Sequence, residues 1–431
     1  MAEAWGGTLL SAYSLAGRLG IPFFPLYLRW RASTGREDAA RFTERHGHPS
    51  APRPAGPLIW VHAASVGETV AATSLVRRLM AAGHFVVLTT VTVTGARTAA
   101  RIGGDRLVHQ YSPLDVRPWV DRFLRYWRPS LAIFVESEVW PVTTDQLVVR
   151  RIPHVIVNAR MSQHSFERWN SLGGASRRIF GRISLALAQT DADAARMSEL
   201  GLRRVETLGN LKFDTPPPDA PPEALGALRT ALGDRPVWLA ASTHPGEEDI
   251  AAQAHDRLRA THPRLLTIIV PRHPERGAAL AEQLRSGGRL VSVRSRGEPL
   301  PGADGILLAD TLGELGLFYR LAPVSFVGGS LVPRGGQNPI EPVRLGSAVV
   351  HGPDTPNFAS VYGALDAGGG AVIVRDAGAL AAAVGHLLAE PEERRLQGEA
   401  AERALRPFSG ALDRTLAVLA PFLAAGETPP W

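Results

Sequence analysis

Short apolar runs alternate with amphipathic segments along most of the chain. The first run, PLIWVHA, is followed almost at once by ETVAATSLVRRLMAAG, whose apolar residues recur at helical spacing before a terminal glycine. Further runs follow at HFVVLTTV, LAIFVE, HVIVNAR, ISLALAQT and RVETLGN. Apolar runs this short, separated by helices, predict a parallel sheet covered on both faces.

The alternation stops in a proline-rich stretch at residues 214–224, DTPPPDAPPEA, which predicts a linker. It then resumes with PVWLAAST, RLLTIIVPR, GILLAD, VSFVGGS and SAVVHG. We therefore expect an α/β protein with two doubly wound, Rossmann-like domains, at residues 49–213 and 225–405. Ligands of such sheets bind beyond the carboxyl ends of the strands, so two domains that face each other would form one cleft. Residues 406–431 predict a C-terminal helix that packs back on the first domain.

The N-terminal segment, residues 1–48, has a different pattern. Residues 5–28 are mostly apolar and aromatic, but Arg18, Pro22 and Pro25 interrupt them. A spanning helix needs about 20 largely uncharged residues, so we do not expect a clean transmembrane span. Three arginines follow at Arg29, Arg31 and Arg36. This pattern favours a monotopic anchor on an anionic membrane surface, and the alternative is a helix packed on the first domain.

The amino-acid composition limits the kinds of ligand and partner that we expect this protein to bind. The 431 residues carry a formal net charge of +6 and include no cysteine, which excludes disulfides, thiolate zinc sites and a cysteine nucleophile. Lys212 is the only lysine, so arginine supplies nearly all of the positive charge. The arginines are spread along the chain instead of forming one patch, which argues against a nucleic-acid binder and favours phosphate-bearing small molecules and acidic lipid.

Acidic residues follow two of the predicted strands. The first strand ends in HAASVGE, where Gly67 permits a tight turn and Glu68 begins a helix. Glu68 either complements the helix dipole or serves as a general base toward an acceptor hydroxyl. The strand LAIFVE leads into ESEVWP, where the spacing of Glu136 and Glu138 places both on one face of an extended segment. Glu138 is a weaker candidate than Glu68, and spacing alone does not choose between Glu136 and Glu138.

Three polar loops follow three strands of the second half. One carries Gly328, Gly329 and Ser330 and then opens a helix at GGQNPIEP, where the helix dipole favours phosphate and Glu341 is suited to ribose hydroxyls. The other two are ASTHPGEE and PRHPERG. Together they predict a nucleotide pocket. Its candidate residues include Ser242, Thr243, His244, Arg272, His273 and Asn338.

No metal or cofactor is expected. Asp191 and Asp193 have the D-x-D spacing that holds a divalent metal in other transferases. They stand where an N-cap and a first-turn acid of a helix belong, so we interpret them as helix-start residues. The GGDR sequence at residues 103–106 lacks the strand–glycine–helix context of a dinucleotide fingerprint.

Six motifs, in this order, resemble those of the 3-deoxy-D-manno-octulosonic acid (Kdo) transferases of Gram-negative lipopolysaccharide synthesis. They are WVHAASVGE, ARMSQHSFERW, LGNLKFD, ASTHPGEE, PRHPERG and FVGGSLVPRGGQNPIEP. The resemblance implies a GT-B fold, a CMP-Kdo donor and a lipid A precursor as acceptor. It also implies inverting, metal-independent transfer at the cytoplasmic face of the inner membrane.

The same resemblance assigns roles to residues. Glu68 matches the family's general base, and Glu138 falls in its acidic acceptor-side motif. Arg272, Gly329, Ser330, Asn338 and Glu341 match the motifs that hold CMP. Lys212 is a partner for the sugar's carboxylate or for an acceptor phosphate. The other residues expected on this acceptor or sugar-carboxylate side are Ser65, Gly67, Glu136, Arg160, Ser162 and Ser165.

Two other functions stay open at this point. Another two-domain enzyme with a uridine donor, such as a sugar epimerase or an N-acetylglucosaminyl transferase, would share the glycine loops. A non-catalytic, membrane-attached protein that binds a sugar nucleotide would leave Glu68 and the ESE motif without a role. A binding test with cytidine and uridine nucleotides distinguishes the first alternative from a Kdo transferase. A measurement of turnover distinguishes the second.

Overall fold

The computed structural model describes residues 2–214 and 217–424. Met1, residues 215–216 of the predicted linker and residues 425–431 of the predicted C-terminal helix lie outside the described residues. The chain divides into two compact units. Unit 1 comprises Met1–Thr215 and Ser409–Trp431, and unit 2 comprises Pro216–Phe408.

Unit 1 is built on a parallel sheet of seven strands in the order β3-β2-β1-β4-β5-β6-β7. The strands are β1 Leu58–His62, β2 Phe85–Thr90, β3 Leu107–Tyr111, β4 Leu131–Val135, β5 His154–Ala159, β6 Leu185–Ala188 and β7 Val205–Thr207. The helices before the linker are α1 Ala2–Leu19, α2 Phe24–Ser33, α3 Phe42–Arg45, α4 Val66–Ala81, α5 Val93–Ala100, α6 Arg117–Trp127, α7 Pro141–Val149, α8 Gln163–Asn170, α9 Gly174–Phe180 and α10 Asp191–Glu199.

Both faces of this sheet are buried. Along β1, Ile59 and Val61 join the core cluster beneath α4, whereas Leu58 and Trp60 join the cluster beneath α6. This alternation is the period of two that a strand imposes on its side chains. The apolar run therefore has no polar face, as the sequence predicted.

Unit 2 repeats the design with the strand order β10-β11-β9-β8-β12-β13-β14. Its strands are β8 Val237–Thr243, β9 Leu266–Pro271, β10 Val291–Val293, β11 Gly305–Leu308, β12 Val324–Val327, β13 Ala348–His351 and β14 Ala371–Ile373. Its helices are α11 Pro222–Leu232, α12 Glu247–Leu258, α13 Gly277–Ser286, α14 Leu315–Leu321, α15 Ile340–Arg344, α16 Ala359–Ala367, α17 Ala377–Ala389 and α18 Pro391–Leu405. The first of these helices begins inside the predicted linker.

Three of the strands were not predicted, namely β3, β10 and β14. Each lies at an edge of its sheet. The sequence of β3, LVHQY, carries His109 and Gln110, and the other two strands have three residues each. Edge strands pair on one side only, so they need neither the length nor the continuous apolar run that marks a central strand.

The chain returns to unit 1 through α19, Ala411–Ala424. Leu419 is buried in the cluster that also contains Leu75 of α4. The carboxylate of Asp214 accepts hydrogen bonds from the backbone N–H groups of Gly410 and Leu412 at 2.8 and 2.6 Å. These contacts hold the start of α19 against the 3-10 turn Leu211–Asp214.

Residues 2–33 of the N-terminal segment form two helices with a break between them. The first ends at Leu19, and the second begins at Phe24 with Pro25 in its first turn. The position of the break agrees with the prolines seen in the sequence. Among the helices that the structure describes, none has both the length and the apolar character needed to cross a bilayer.

Candidate active site

Glu68 stands in the first turn of α4, directly after β1. Ser65 is the N-cap residue, and its hydroxyl accepts a hydrogen bond from the Glu68 N–H at 3.4 Å. In return, the Glu68 carboxylate accepts from the Ala64 N–H at 2.7 Å and from the Ser65 hydroxyl at 2.9 Å. This reciprocal arrangement resembles a capping box, with the N–H of Ala64 in place of the N-cap N–H, and it holds the carboxylate in one orientation. Gly67 lies inside the helix, which corrects the expectation of a tight turn at that residue.

The surroundings of Glu68 favour its protonated form. Burial raises the pKa of this carboxyl, and the charges of Glu138 and Glu136 raise it further. The hydrogen bonds from Ser65 and Ala64 act in the opposite direction, but the pKa stays above its ordinary value. A carboxylate with a raised pKa holds an accepted proton more firmly, which suits a general base.

Glu136 and Glu138 follow β4 but do not share one face of an extended segment, so that expectation is wrong. Glu136 has a φ of 63°, in the left-handed region, and the chain turns there. Its carboxylate forms an ion pair with the Lys212 ammonium at 2.7 Å. Glu138 accepts a hydrogen bond from the Trp140 indole N–H at 2.6 Å, and His62 Nε2 lies 3.9 Å from the same oxygen. The two carboxylates therefore have different partners.

Glu138 differs from Glu68 in the direction of its pKa shift. Burial by itself raises the pKa of the Glu138 carboxyl, but the His62 ring and the Trp140 N–H favour the charged form, and the pKa ends below its ordinary value. Two nearby carboxyl groups thus have pKa values that are shifted in opposite directions. Such a pair is typical of a site in which one acid exchanges a proton while the other stays ionised.

Lys212 comes to the same edge of the sheet from the turn after β7. A Cβ atom placed on Gly67 would lie 3.9 Å from Lys212 Nζ, so the ammonium approaches the start of α4. The structure therefore brings together Ser65, Gly67, Glu68, Glu136, Glu138 and Lys212.

Sequence reasoning missed the residues that position Lys212. Asn158, at the end of β5, has a φ of 52° and accepts a hydrogen bond from the Leu211 N–H at 2.9 Å. Asn210 accepts from the Lys212 N–H at 3.0 Å and donates to Gln189 at 3.1 Å. An asparagine inside the otherwise apolar run HVIVNAR was the available signal, because Asn tolerates the left-handed conformation.

The ARMSQHSFERW motif lies beyond the carboxyl end of β5. The hydroxyl of Ser162 caps α8 by accepting from the Ser165 N–H at 3.2 Å, and it donates to the Ser165 hydroxyl at 3.0 Å. Arg160 is exposed. The serines thus have a structural role at a helix start, and Arg160 is left accessible to a ligand.

In unit 2, the central residue of the candidate donor site is one that sequence reasoning did not single out. Glu247, the first residue of α12, is fully buried. Its carboxylate accepts hydrogen bonds from the backbone N–H groups of His244, Gly329, Ser330 and Leu331 at 2.9, 2.6, 3.0 and 2.9 Å. One side chain therefore fastens the loop after β12 to the loop after β8.

This arrangement changes the role of the glycine-rich loop. The amides of Gly329 and Ser330 already donate to Glu247, and Ser330 is fully buried, with its hydroxyl bonded to Val327 O at 2.5 Å. A Cβ atom on Gly328 would lie 2.7 Å from the Ser242 carbonyl oxygen, so close packing of β12 on β8 requires a glycine. In the structure these residues shape the loop, and their amides are not free to cradle an anion.

Other predicted donor residues surround this loop. Asn338 donates to Glu341 Oε1 at 3.1 Å. Burial raises the pKa of the Glu341 carboxyl, while Asn338 and the positive charge of exposed Arg272 lower it, and the pKa stays above its ordinary value. Asn338, Glu341 and Arg272 therefore form one polar group.

His244 is largely buried, and its Nε2 lies 3.2 Å from the side-chain amide nitrogen of Gln337, a residue not predicted. Burial lowers the pKa of His244, and the charge of Arg334 lowers it further. Thr243 is fully buried and donates to Glu248 at 3.2 Å, so it is structural. Exposed His273 pairs with Glu275 at 3.2 Å, and Ser242 has a left-handed φ of 55°.

The D-x-D acids belong to a helix start, but the N-cap is Thr190, one residue earlier than expected. Asp193 accepts from the Met161 N–H at 2.8 Å and from the Thr190 hydroxyl at 2.5 Å. Within residues 2–214 and 217–424, no group of three or more His, Asp or Glu side chains has a geometry that could hold a metal ion.

Comparison with known proteins identifies the family and the fold of this chain. Residues 40–215 match the family described as 3-deoxy-D-manno-octulosonic-acid transferase (kdotransferase). The 3-deoxy-D-manno-octulosonic acid transferase of Haemophilus influenzae is 39% identical over 393 residues, covering 89% of this chain and 91% of that protein. The enzyme of the same name from Bordetella pertussis is 38% identical over 86% of this chain and 89% of its own.

A crystal structure of a glycosyltransferase from Rickettsia africae covers 86% of this chain and 99% of that chain, with a TM-score of 0.57 and 13% identity, which supports the fold alone. The two doubly wound units are thus those of a GT-B fold, as the sequence predicted. Together with the two relatives, this shows that the chain is a glycosyltransferase that belongs to the Kdo transferase family.

Proposed function

We propose that this enzyme transfers Kdo from CMP-Kdo to a hydroxyl of a lipid A precursor, with inversion at the anomeric carbon and without a metal ion. The observation that carries the proposal is the Glu68 carboxylate. It is held in one orientation by Ala64 and Ser65, remains partly exposed, and has a raised pKa. These are the properties of a general base toward a sugar hydroxyl.

In the proposed reaction, ionised Glu68 accepts the proton of the acceptor hydroxyl while the hydroxyl oxygen attacks the anomeric carbon of Kdo. The bond from that carbon to the CMP phosphate oxygen breaks, and CMP leaves as an anion. Glu138 stays ionised throughout, since His62 and Trp140 favour its charged form. Attack on the face opposite to the leaving group inverts the anomeric centre.

Lys212 provides a positive charge beside Glu136 and the start of α4. The Lys212 side chain is 37% exposed although its ammonium is paired with Glu136, so it can also contact a ligand. The Kdo carboxylate and an acceptor phosphate are both suitable anions. Either contact would be a charge-assisted hydrogen bond, and such bonds are among the stronger ones in proteins.

Unit 2 would bind the donor nucleotide. We expect exposed Arg272 to neutralise the charge that develops on CMP as it leaves, which would be electrostatic stabilisation by a preorganised group. Glu341, oriented by Asn338, can accept hydrogen bonds from the ribose hydroxyls. Transfer without a metal is consistent with an arginine in this position and with Asp193, whose two oxygens already accept bonds within the fold.

We also propose that the enzyme works at the cytoplasmic face of the inner membrane as a monotopic protein. Eight large apolar or aromatic side chains of the first two helices and the turn between them are exposed. They are Leu9, Tyr13, Leu15, Leu19, Phe23, Leu26, Tyr27 and Trp30. Two exposed arginines, Arg29 and Arg36, lie at the end of this segment. Exposed apolar and aromatic side chains beside arginines are the composition that an anionic membrane surface favours.

The test is the release of CMP from CMP-Kdo, with and without a lipid A precursor, with EDTA present throughout. We expect acceptor-dependent release, and an NMR assignment of the product's anomeric configuration should show inversion. Loss of turnover in EDTA that is restored by a divalent ion would overturn the metal-independent mechanism. Binding of uridine nucleotides in preference to CMP, or binding without turnover, would instead support one of the two alternative functions.

A further inference from the structure

A basic cavity in unit 1 lies outside the residues assigned to the transfer reaction. It has a volume of about 280 Å³ and is lined by residues of α1, α6, α7 and α9 and by Arg182, which follows α9. Among the residues whose side chains the structure describes, four arginines and one acid, Asp145, line it. The arginines are Arg18, Arg117, Arg178 and Arg182. These four guanidinium groups and one carboxylate give the described lining a formal charge of +3. We call this cavity the arginine pocket.

Most of this positive charge is not neutralised by the protein. Arg182 forms an ion pair with Asp145. Among residues 7–214 and 217–424, whose side chains the structure describes, no Asp or Glu oxygen lies within 4.0 Å of a guanidinium nitrogen of Arg18, Arg117 or Arg178. Three cations that share a concave site repel one another unless an anion or solvent compensates them.

The other lining residues suit an oxyanion. Ser11, Ser14 and Gln146 add neutral hydrogen-bond donors. A Cβ atom on Gly7 would lie 3.4 Å from Arg178 Nη1, so the absence of a side chain there lets Arg178 lie against α1. Guanidinium groups bind phosphate in bidentate fashion, and several around one cavity favour a phosphate over a carboxylate, which carries less charge.

The rim of the pocket indicates what carries the phosphate. Leu15 is part of the lining and is 57% exposed, and Leu19, one helical turn later, is 68% exposed. Arg18 stands between them on α1. A soluble phosphate metabolite gains nothing from exposed leucines, whereas a phosphate attached to acyl chains places its apolar part against them.

We propose that the arginine pocket binds the phosphate group of a lipid headgroup. This inference rests on the membrane association proposed above, but not on the chemistry assigned to Glu68. Two lipids can supply the phosphate, namely an anionic phospholipid of the membrane and the phosphorylated acceptor itself. The loop that carries Glu138 ends at Pro141, which lines the pocket. The pocket is therefore close along the chain to a proposed acceptor-side residue, and the experiment must distinguish the acceptor from a membrane phospholipid.

The test compares two double variants that remove the same charge. The pocket variant is Arg117→Gln with Arg178→Gln. The control is Arg101→Gln with Arg203→Gln, two exposed arginines that do not line the pocket. Matching thermal unfolding curves and matching CMP binding would show that both variants fold. A further variant, Arg117→Lys with Arg178→Lys, keeps the charge and loses the bidentate geometry.

Binding is measured by sedimentation with vesicles of phosphatidylcholine alone and of phosphatidylcholine with phosphatidylglycerol. The KM for the acceptor is measured separately in neutral detergent. If the pocket binds membrane phospholipid, the pocket variant should bind the phosphatidylglycerol vesicles about tenfold or more weakly than the control, with an unchanged acceptor KM. If it binds the acceptor, its acceptor KM should rise about tenfold or more while vesicle binding matches the control. In whichever measurement changes, the lysine variant should give a value between those of the pocket variant and the control.

Equal behaviour of the pocket and control variants in both measurements would overturn the inference. This outcome is separate from failure of the proposed transfer reaction, because vesicle binding does not require turnover. Conversely, a wild-type protein that lacks acceptor-dependent CMP release but shows pocket-dependent vesicle binding would retain the lipid-phosphate site and lose the proposed reaction.

Discussion

Glu68 of unit 1 and Glu247 of unit 2 occupy equivalent places in two similar folds. Each follows a central parallel strand, stands in the first turn of the next helix, and accepts a hydrogen bond from the backbone N–H of a residue three or four positions earlier. Burial raises the pKa of both carboxyl groups. Yet Glu68 is partly exposed, whereas Glu247 is completely buried.

The difference lies in what the rest of each unit offers the carboxylate. Glu247 receives three further N–H groups from the loop after β12, so its two oxygens accept four bonds in all. Glu68 receives one N–H and one hydroxyl, which leaves about half of the roughly four acceptor positions of a carboxylate open. The same local design thus gives a structural group in one unit and a group available to a substrate in the other.

The largest expected effect comes from Glu68→Gln. The amide keeps the size of the side chain but cannot accept a proton, so we expect kcat to fall by about 10²–10⁴-fold. The binding of CMP, measured by calorimetry, should stay unchanged, because the proposed donor residues belong to unit 2. Near-normal turnover with intact binding of both substrates would mean that another residue is the base.

The second-largest effect should come from Glu247→Gln, which should lower the stability of unit 2 more than it changes catalysis. A glutamine has one acceptor oxygen, so some of the four N–H groups lose their partner, at about 1–3 kcal/mol for each buried group. Hydrogen exchange of the backbone around residues 328–331 should become faster, and unit 2 should unfold at a lower urea concentration. The matched control is Glu282→Gln, an exposed residue of α13. Equal protection in the two variants would contradict the structural role of Glu247.

The smallest effect should be a shift in pH dependence. Glu68 must be ionised to act as a base, so kcat/KM should rise with pH through its pKa. Burial raises that pKa first and the charge of Glu138 raises it second. Glu138→Gln removes this charge and should move the acid limb of the kcat/KM profile to lower pH, by up to about one unit.

Glu136→Gln serves as the comparison, because Glu136 contributes less to the pKa of Glu68 and is paired with Lys212. It should move the acid limb less than Glu138→Gln does. An acid limb that stays in place in both variants would show that Glu138 does not influence the base, whatever the change in kcat.

The sequence by itself determined the alternation of central strands and helices, the presence of two such halves, and the family. These features depend on residues that are close together in the chain. The period of an apolar run, the residues that start a helix and the motifs around Glu68 and Arg272 can all be recognised without knowing what packs against them.

The tertiary structure alone decided the edge strands, the partners of Glu136 and Glu138, the use of the glycine-loop amides by Glu247, and the arginine pocket. Several of these contacts join residues that are far apart in the chain: Glu247 bonds to Ser330, and Glu136 pairs with Lys212. The energy of a buried carboxylate or an unpaired guanidinium depends on which groups the fold brings within a few ångströms, and a linear pattern does not encode that distance.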